Sequence, residues 1–342
     1  MAIEGSETRF DGVSFVHNPL PGIDAANINL SSTFLDKKVS APVFISSMTG
    51  GSEDGQRINA DLAGAAAKLN IPLGLGSMRV LLYHPEVKDQ FAVRDIAPDV
   101  PLFGNFSAVQ LKEHPVSEIL ELCREFGLDG MAIHLNPGQE ICQAEGDRDF
   151  SGLLKPIETL ASNISVIVKE TGFGIPPAAA RQLLNAGARY IDVAGAGGTN
   201  WAKVEQFRDG RIDDAGGSGN RPLDDWGIPT AVNLAALSDS AFNGKILSSG
   251  GLRTSLDFAK SIAMGAVAAG TALPLIRAVT DAGMEGAVRY LSEIIEGIKQ
   301  VMLLTGTADT EALRSVPLIL SEELLSSARQ LKNGGNWRKE IG

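Results

Sequence analysis

Eight short apolar segments recur along the chain, and helical patterns separate them. Each segment is continuously apolar and ends in small or polar residues; in order they cover residues 41–48, 71–77, 101–105, 130–134, 165–169, 190–194, 245–249 and 266–270. Strands of this kind are buried on both faces, as in a parallel sheet. The stretches between them carry apolar residues at helical spacing, and several end in glycine. Eight strand–helix units predict an α/β fold, the TIM (β/α)8 barrel.

The same pattern divides the chain into an extension and one barrel domain. Residues 1–40 precede the first predicted strand, and we expect them to pack on the barrel and close its floor. Residues 41–342 then form the barrel. Residues 207–226 are polar and rich in glycine, and we place them between the sixth strand and its helix. A loop of this length at the catalytic edge predicts a lid.

Composition narrows the classes of partner. The formal net charge of −11 argues against nucleic acid or an anionic membrane as the main partner, but an anionic substrate fits if a few cations share one pocket. Cys123 and Cys142 give neither a disulfide framework nor zinc spacing. The start shows no signal pattern, and no apolar run reaches the length of a membrane span. We therefore predict a soluble, cytoplasmic protein.

The largest cluster of side chains that could bind a ligand or move a proton follows the fourth predicted strand. His134, Asn136, Gln139 and Glu140 supply an imidazole, two amides and a carboxylate within seven residues, and Pro137 ends the strand. These groups should therefore lie on the loop at its C-terminal end, the edge where parallel α/β proteins bind ligands. Any one of them alone is explained equally well as a turn cap or a core histidine.

Residues at the ends of other predicted strands are expected to lie at the same edge of the barrel. Glycines after the seventh and eighth strands predict a phosphate cradle, because bare N–H groups and a helix dipole favour an anion; tight turns alone are the alternative. Lys169, at the end of the fifth strand, needs an anionic or electron-rich partner, or else an ion pair with Glu170 or Asp192. Trp201, beside a glycine-rich loop, is expected to line a ligand rather than the core.

Six motifs, in order, resemble those of the type 2, FMN-dependent isopentenyl-diphosphate isomerases, and the resemblance runs from about residue 10 to about residue 278. They are Met-Thr-Gly-Gly (48–51), Gly-Ser-Met-Arg (76–79), His-Leu-Asn-Pro-x-Gln-Glu (134–140), Val-Lys-Glu-x-Gly-Phe-Gly-Ile (168–175), Gly-Ala-Gly-Gly-Thr-x-Trp (195–201) and Ser-Gly-Gly-x-Arg-Thr (249–254). The resemblance implies a TIM barrel that isomerises isopentenyl diphosphate to dimethylallyl diphosphate in isoprenoid biosynthesis. It also implies FMN, active when reduced, with Mg²⁺, NADPH as reductant, and a homo-tetramer or homo-octamer.

The resemblance also assigns roles to residues. Those implied to contact FMN are Ser47, Met48, Thr49, Ser77, Asn105, Lys169, Thr199, Gly250, Gly251, Leu252, Ala269 and Gly270. Those implied to contact the substrate are Ser77, Met78, Arg79, Gln139 and Trp201. The catalytic group would be His134, Asn136 and Gln139, and Glu140 would hold Mg²⁺ on the diphosphate.

Three positions depart from the family. Members carry an N-terminal Arg-Lys pair that reaches the substrate diphosphate, whereas this chain begins with residues that already follow that motif. Ala194 stands where members commonly have a serine that touches the flavin, and Gly138 replaces a larger apolar residue. If the chain is an intact isomerase, another cation must face the diphosphate; the candidates are Arg79, Arg253, Arg208, Arg211 and Arg221.

Two other functions compete with this one. One is an FMN-dependent 2-hydroxy-acid oxidase or dehydrogenase on the same barrel, which needs a histidine base and an arginine pair for a carboxylate. The other is a flavin-binding homologue whose substrate binding is lost or altered because the Arg-Lys motif is missing. We expect isomerisation and not these alternatives, because the only histidine predicted at the mouth has an amide and a carboxylate close by, which fits a diphosphate–metal site better.

Overall fold

Eight parallel strands close into a barrel, as the sequence predicts. The structure, a computed structural model, describes residues 3–5, 7–48, 53–208, 210 and 223–335. The barrel strands are, in chain order, Val43–Ile45, Leu73–Gly74, Leu102–Ser107, Gly130–Leu135, Ser165–Glu170, Tyr190–Asp192, Ile246–Ser248 and Ala268–Thr271. Each strand pairs with the next, and the eighth returns to the first with Ala269 opposite Val43. All eight lie within or overlap the predicted apolar segments.

Helices follow the strands and cover the barrel. Their bounds are Glu53–Leu69, Ala108–Glu113, Val116–Glu125, Pro137–Glu140, Leu154–Ala161, Pro177–Asn185, Trp201–Arg208, Thr230–Ala236, Ser255–Ala263, Leu273–Thr305, Thr310–Arg314 and Glu322–Lys332. Short 3-10 turns cover Phe10–Gly12, Ala25–Asn27, Arg79–Leu82, Pro85–Gln90 and Ser240–Phe242. The helix Ser255–Ala263 begins where the side chains of Thr254 and Asp257 cap each other's backbone N–H groups, which fixes the end of the preceding loop.

The connection after the sixth strand differs from the prediction. A helix, Trp201–Arg208, begins directly after the glycine-rich loop, so the polar stretch 207–226 starts in its last turn and precedes the helix Thr230–Ala236. The stretch therefore joins two helices rather than a strand and its helix. Most of it, residues 209 and 211–222, lies outside the described residues, and so does the predicted lid.

The N-terminal region reaches both ends of the barrel. Two short strands, Ser32–Phe34 and Lys37–Val39, form a hairpin whose Phe34 is 1% exposed and stacks against Phe44 and Tyr190 at the N-terminal ends of the barrel strands. Another strand, Val13–Phe15, pairs antiparallel with Leu318–Leu320.

The first described residues lie at the opposite end of the barrel. The N–H of Gly5 donates to the carbonyl of Gly198 (2.8 Å), and the N–H of Asn200 donates to the carbonyl of Ile3 (2.8 Å). This short antiparallel pairing places the segment beside the glycine-rich loop after the sixth strand. In the part of the chain that the structure describes, no helix has the length and apolar character needed to cross a membrane.

Candidate active site

Two adjoining clefts open at the C-terminal ends of the barrel strands. One, here called the glycine-rich cleft, spans about 540 Å³ together with the solvent space at its mouth and is lined by the loops after the first, fifth, sixth, seventh and eighth strands. The other, the polar cleft, spans about 770 Å³ together with its mouth and is lined mainly by side chains in or after the second, third and fourth strands. They share one wall, made of Ser47, Met48, Lys169, Thr171 and Trp201. Ligands in the two clefts would therefore meet at this wall.

Backbone forms much of the glycine-rich cleft. Gly250 and Gly251 have φ values of +98° and +81°, a conformation that favours glycine. A Cβ on Gly198 would lie 2.6 Å from the backbone nitrogen of Gly251, so the loops after the sixth and seventh strands pack backbone against backbone. Thr199 and Gly270 also line the cleft. Backbone conformation and close packing are therefore sufficient to explain glycine at these positions. Because glycine has no side chain, main-chain groups form the surface of the cleft.

Lys169 is a buried cation on the wall shared by both clefts. The residue is only 8% exposed, and its Nζ donates a hydrogen bond to the backbone carbonyl of Glu170 (2.8 Å). Burial lowers the pKa of Lys169, while Asp192 and Glu170 oppose that shift. Within the described residues Nζ makes no ion pair with a carboxylate, so the ion pair considered as the alternative is not formed.

Ser47 is a second polar group that faces this space without a partner. Its Oγ is buried and has no hydrogen-bond partner among the described residues. It lines both clefts. Buried polar atoms are nearly always paired in folded proteins, so an orphaned hydroxyl on the wall that also carries Lys169 indicates a place for a ligand that accepts hydrogen bonds.

Glu170 holds the loop below this wall. Its Oε2 accepts hydrogen bonds from the backbone N–H groups of Thr171 (2.6 Å), Gly172 (2.7 Å) and Phe173 (2.5 Å). Burial raises the pKa of Glu170 to about 7, against the lowering effect of those three bonds. The carboxylate therefore fixes the turn that carries Thr171 and Gly172 into the glycine-rich cleft.

His134 is held in one orientation by Asn105. Its Nδ1 lies 2.8 Å from Oδ1 of Asn105, and an amide oxygen can only accept, so Nδ1 carries the proton. Burial first, and the charge of Lys169 second, lower the pKa of His134 to about 3. The ring is therefore neutral at neutral pH, and Nε2, which has no hydrogen-bond partner among the described residues, can act as an acceptor in the polar cleft.

Replacement of His134 should flatten the pH dependence of stability. An unfolded histidine binds a proton below a pH of about 6.5, while the folded chain excludes it until about pH 3. The free energy of unfolding should therefore fall with decreasing pH by up to about 1.4 kcal/mol per pH unit more in the parent than in His134→Asn. Urea unfolding of both proteins from about pH 7 to about pH 5 measures this slope.

The exposed His17 supplies the control for that experiment. His17→Asn removes an imidazole that makes no ion pair within the described residues, so the slope for this variant should stay close to that of the parent. Parallel slopes for the parent and His134→Asn would mean that the folded chain also protonates His134, and would contradict its neutral state.

Asn136, Gln139 and Glu140 form one hydrogen-bonded group. The strand runs to Leu135, one residue beyond the predicted end, and Pro137–Glu140 forms a helical turn rather than the predicted loop. Nδ2 of Asn136 donates to Oε1 of Glu140 (2.7 Å) and to Oε1 of Gln139 (3.3 Å). The N–H of Asp147 donates to Oε2 of Glu140, which is only 6% exposed. A carboxylate held in this way presents its remaining lone pairs in a fixed direction.

Glu205 completes this group and was not predicted from the sequence. It is 3% exposed, and its Oε1 accepts from Nε2 of Gln139 (2.8 Å). It stands four residues after Trp201 on the helix Trp201–Arg208, hence on the same helix face. That spacing is a usable signal only once the helix is known to begin at Trp201.

The remaining predicted residues separate into those that line a cleft and those that do not. Ser77, Arg79 and Asn105 line the polar cleft with His134, Asn136, Gln139 and Glu140. Met78, Leu252 and Ala269 are buried and line neither cleft, so the side chains of Leu252 and Ala269 face the core. Thr49, which the resemblance assigns to FMN, lies outside the described residues.

The candidate arginines differ in whether a carboxylate already neutralises them. Arg253 lines the glycine-rich cleft and pairs with Glu4, and Arg208 pairs with Glu145 (2.5 Å) and Glu205 (3.2 Å). Arg79 is exposed, lines the polar cleft and makes no ion pair within the described part of the chain. Arg211 and Arg221 lie outside the described residues. Of the three candidates that can be placed, Arg79 is the one available to an anion.

The two single-residue departures also lie at these clefts. Ala194 lines the glycine-rich cleft with a φ of +35°. Gly138 packs beside Phe173, whose ring occupies the space that a Cβ at position 138 would need. A larger residue there would require Phe173 to move.

The barrel and its two clefts define a TIM-barrel protein with a ligand site at the C-terminal ends of its strands. Comparison with known proteins gives the family. Residues 154–319 match the family model of the FMN-dependent dehydrogenases. The isopentenyl-diphosphate delta-isomerase of Pyrococcus abyssi is 42% identical over 324 residues, which cover 91% of this chain and 86% of that relative. The enzyme of that name from Nostoc sp. is 44% identical over 305 residues, covering 88% and 86%. The chain belongs to the isopentenyl-diphosphate delta-isomerase family.

Solved structures with the same fold include two oxidases. A mandelate oxidase mutant with a monooxide FMN adduct has a TM-score of 0.64 at 16% identity, covering 92% of this chain and 90% of that one. A putative lactate oxidase of Pediococcus acidilactici has a TM-score of 0.67 at 16% identity, covering 93% and 88%. At this identity the likeness establishes the shared barrel and nothing about the reaction.

Proposed function

We propose that this protein isomerises isopentenyl diphosphate to dimethylallyl diphosphate, with FMN in the glycine-rich cleft and the substrate in the polar cleft. The observation that carries the proposal is the shared wall, where Lys169 and Trp201 face both clefts. A cofactor on one side of this wall and a hydrocarbon chain on the other would be in contact. The names of relatives at about 40% identity over most of the chain support the reaction.

The residues of the glycine-rich cleft fit FMN. The orphaned Ser47 hydroxyl and the buried Lys169 ammonium can meet a polar ring edge, and the loops at Gly250, Gly251 and Gly270 can meet a single phosphate. Reduced FMN would supply an electron-rich ring and proton transfer at its N5 atom. The protein supplies binding, orientation and exclusion of water.

Isomerisation requires proton movement without net oxidation. One proton is added at C4 of the substrate and one is removed from C2, with positive charge developing at C3, so polar groups near the allyl chain must be few and fixed. Glu205 holds Nε2 of Gln139 and Asn136 donates to its Oε1, so the second lone pair of that oxygen is the one that can orient groups near C2. His134 stays neutral and offers Nε2 as an acceptor.

The diphosphate end of the substrate would lie against Glu140 and Arg79. Glu140 is the residue that would hold Mg²⁺, since a carboxylate together with phosphate oxygens and water is the usual shell of that ion. Among the described residues no cluster of three or more metal-binding side chains exists, which agrees with a metal that is bound mainly through its substrate. Arg79 adds a fork of donors suited to phosphate oxygens.

Replacing Arg79 should weaken substrate binding and spare the flavin. Of the candidate arginines that the structure describes, Arg79 is the one without an ion pair. Arg79→Met should therefore raise KM for isopentenyl diphosphate about 10- to 150-fold, which corresponds to the loss of one charge-assisted hydrogen bond. FMN affinity should not change, because Arg79 lines only the polar cleft. Steady-state kinetics and flavin fluorescence measure the two effects.

Arg289→Met is the matched control for that variant, since this exposed arginine on the helix Leu273–Thr305 lines neither cleft. An unchanged KM in Arg79→Met, or an equal rise of KM in both variants, would contradict the contact between Arg79 and the diphosphate.

One experiment separates the proposed reaction from its competitor. The purified chain with dithionite-reduced FMN and Mg²⁺ is incubated with isopentenyl diphosphate, and in parallel the oxidised flavoprotein is incubated with lactate or mandelate under oxygen. We expect dimethylallyl diphosphate and no hydrogen peroxide. The reverse result would favour the 2-hydroxy-acid oxidase, and turnover of neither with normal FMN binding would favour a homologue that binds flavin alone.

The polar cleft favours isomerisation over hydroxy-acid oxidation for a specific reason. An oxidase needs a histidine base beside a pair of arginines that hold a carboxylate. Here His134 is paired with Asn105, and Arg79 is the one arginine among the described residues that line this cleft. The accompanying group is a carboxylate, Glu140, which would repel a hydroxy-acid anion in the absence of a metal.

Three finer points stay predictions from the sequence. We propose that NADPH serves as the reductant of the flavin, that the protein is cytoplasmic, and that it assembles as a homo-tetramer or homo-octamer. We keep residues 1–40 as the extension and 41–342 as the barrel domain.

A further inference from the structure

A third cavity lies at the end of the barrel opposite to both clefts. It has a volume of about 390 Å³ and is bordered by the residues that lead into the seventh and eighth strands, Phe242 and Gly265 among them. The helix Glu322–Lys332 forms another side through Leu325 and Ala328. Because these elements precede the strands, the cavity is separated from the candidate active site by the length of the barrel.

The walls of this cavity combine apolar side chains with polar groups, and the charged groups among its described lining residues are all cations. Its larger apolar residues are Leu237, Phe242, Met264, Leu318, Leu320 and Leu325. The charged residues that line it are Arg314, Arg329 and Lys332, and among the described residues no carboxylate lines it. Three cations around an apolar cavity are unusual in a chain with a net charge of −11.

Two of these cations are not neutralised by a carboxylate. Arg314 donates from Nε and Nη2 to the backbone carbonyls of Ala266 (3.3 Å) and Val267 (3.0 Å), which fixes its guanidinium at the rim. Arg329 is exposed and makes no ion pair within the described ranges of the chain. Lys332, in contrast, pairs with Asp239 (2.8 Å). The rim therefore keeps a positive charge beside an apolar interior.

We propose that this cavity binds a single-chain amphiphile, with its anionic headgroup at Arg314 and Arg329 and its hydrocarbon tail along the apolar walls. The volume is in the range of small-molecule pockets, which combine apolar walls with a few placed polar groups. The headgroup, carboxylate or phosphate, is defined here by the charge that recognises it. The site goes beyond the proposed isomerase activity and does not depend on it.

The test uses the intact flavoprotein with its active-site mouth occupied. Isothermal titration with decanoate and with decyl phosphate is carried out in the presence of FMN, Mg²⁺ and excess pyrophosphate, so that the polar cleft cannot supply the anion site. We expect saturable binding of at least one of the two anions, and the tighter one identifies the headgroup. Decanol and decyltrimethylammonium, which offer the tail without the anion, should bind about tenfold or more weakly.

Variants assign the binding to this cavity. Arg329→Glu reverses an exposed charge and should weaken binding of the anion about tenfold or more, whereas Arg289→Glu, an exposed arginine on the helix Leu273–Thr305, should leave it unchanged. Ala235→Leu, a half-buried lining residue, should reduce binding by filling the interior.

Some results would overturn the proposal. Equal affinity for decanol and decanoate would remove the role of the cations, and normal binding by Arg329→Glu would place the ligand elsewhere. Loss of a concentration-dependent oligomer in Arg329→Glu, with no anion binding by the parent, would make this face an interface between copies of the chain.

Discussion

Glu140→Gln should lower the Mg²⁺-dependent rate by on the order of 100-fold or more while FMN remains bound. The carboxylate is nearly buried and is fixed by Asn136 and the N–H of Asp147, so a neutral amide at this position could not hold a divalent metal against the diphosphate as the carboxylate would. Glu140 lines the polar cleft and not the glycine-rich one. The rate is measured against Mg²⁺ concentration, and bound flavin by its absorbance.

Glu145→Gln is the matched control, because this nearby carboxylate is 65% exposed and pairs with Arg208 on the surface. Its rate should stay close to that of the parent. If Glu140→Gln instead loses FMN and keeps its Mg²⁺ response, the assignment of the metal and the cofactor to the two clefts is wrong.

Gly251→Ala should all but abolish FMN binding. Its φ of +81° is unfavourable for alanine, and the new Cβ would overlap the carbonyl group of Gly197 in the neighbouring loop. The loops that border the proposed phosphate site would therefore have to separate. We expect FMN affinity to fall by on the order of 100-fold or more, since several backbone donors move together. Fluorescence quenching of added FMN measures the dissociation constant.

Two further glycine variants distinguish the effect of backbone strain from the effect of steric overlap. Gly265→Ala meets positive φ (+102°) but no atom within 4 Å, so it should cost about 1–2 kcal/mol of stability and leave FMN affinity unchanged. Gly198→Ala meets the close contact with Gly251 without the positive φ, and it should weaken FMN binding. Equal loss of FMN in Gly265→Ala and Gly251→Ala would show that general destabilisation, not the cradle, is responsible.

The barrel could be predicted because its strands are continuously apolar. Even Leu73–Gly74, with only two paired residues, lies in a recognisable apolar segment. The polar cleft could be predicted because His134, Asn136, Gln139 and Glu140 are close in sequence and follow one strand. Local patterns were sufficient wherever neighbours in sequence are also neighbours in space.

The features that escaped prediction depend on contacts between distant residues. Glu205 matters through Gln139, 66 positions earlier, and nothing in its own surroundings marks it. The helix Trp201–Arg208 follows a run of glycines that predicts only a loop. The pairing of Gly5 with Gly198 joins an unremarkable N-terminus to the mouth of the barrel, and a local pattern cannot show it.

The pairing of Gly5 with Gly198 determines which end of the chain is suitable for a tag or a label. Ile3 and Gly5 lie along the loop after the sixth strand, and Glu4 pairs with Arg253 at the edge of the glycine-rich cleft. An affinity tag or a fluorescent reporter fused ahead of Ile3 would therefore emerge beside the glycine-rich cleft, where we propose that flavin binds. The end of the helix Glu322–Lys332 reaches the opposite face, where Lys332 contacts Asp239. Immobilisation or labelling for flavin-binding measurements is better placed beyond that helix.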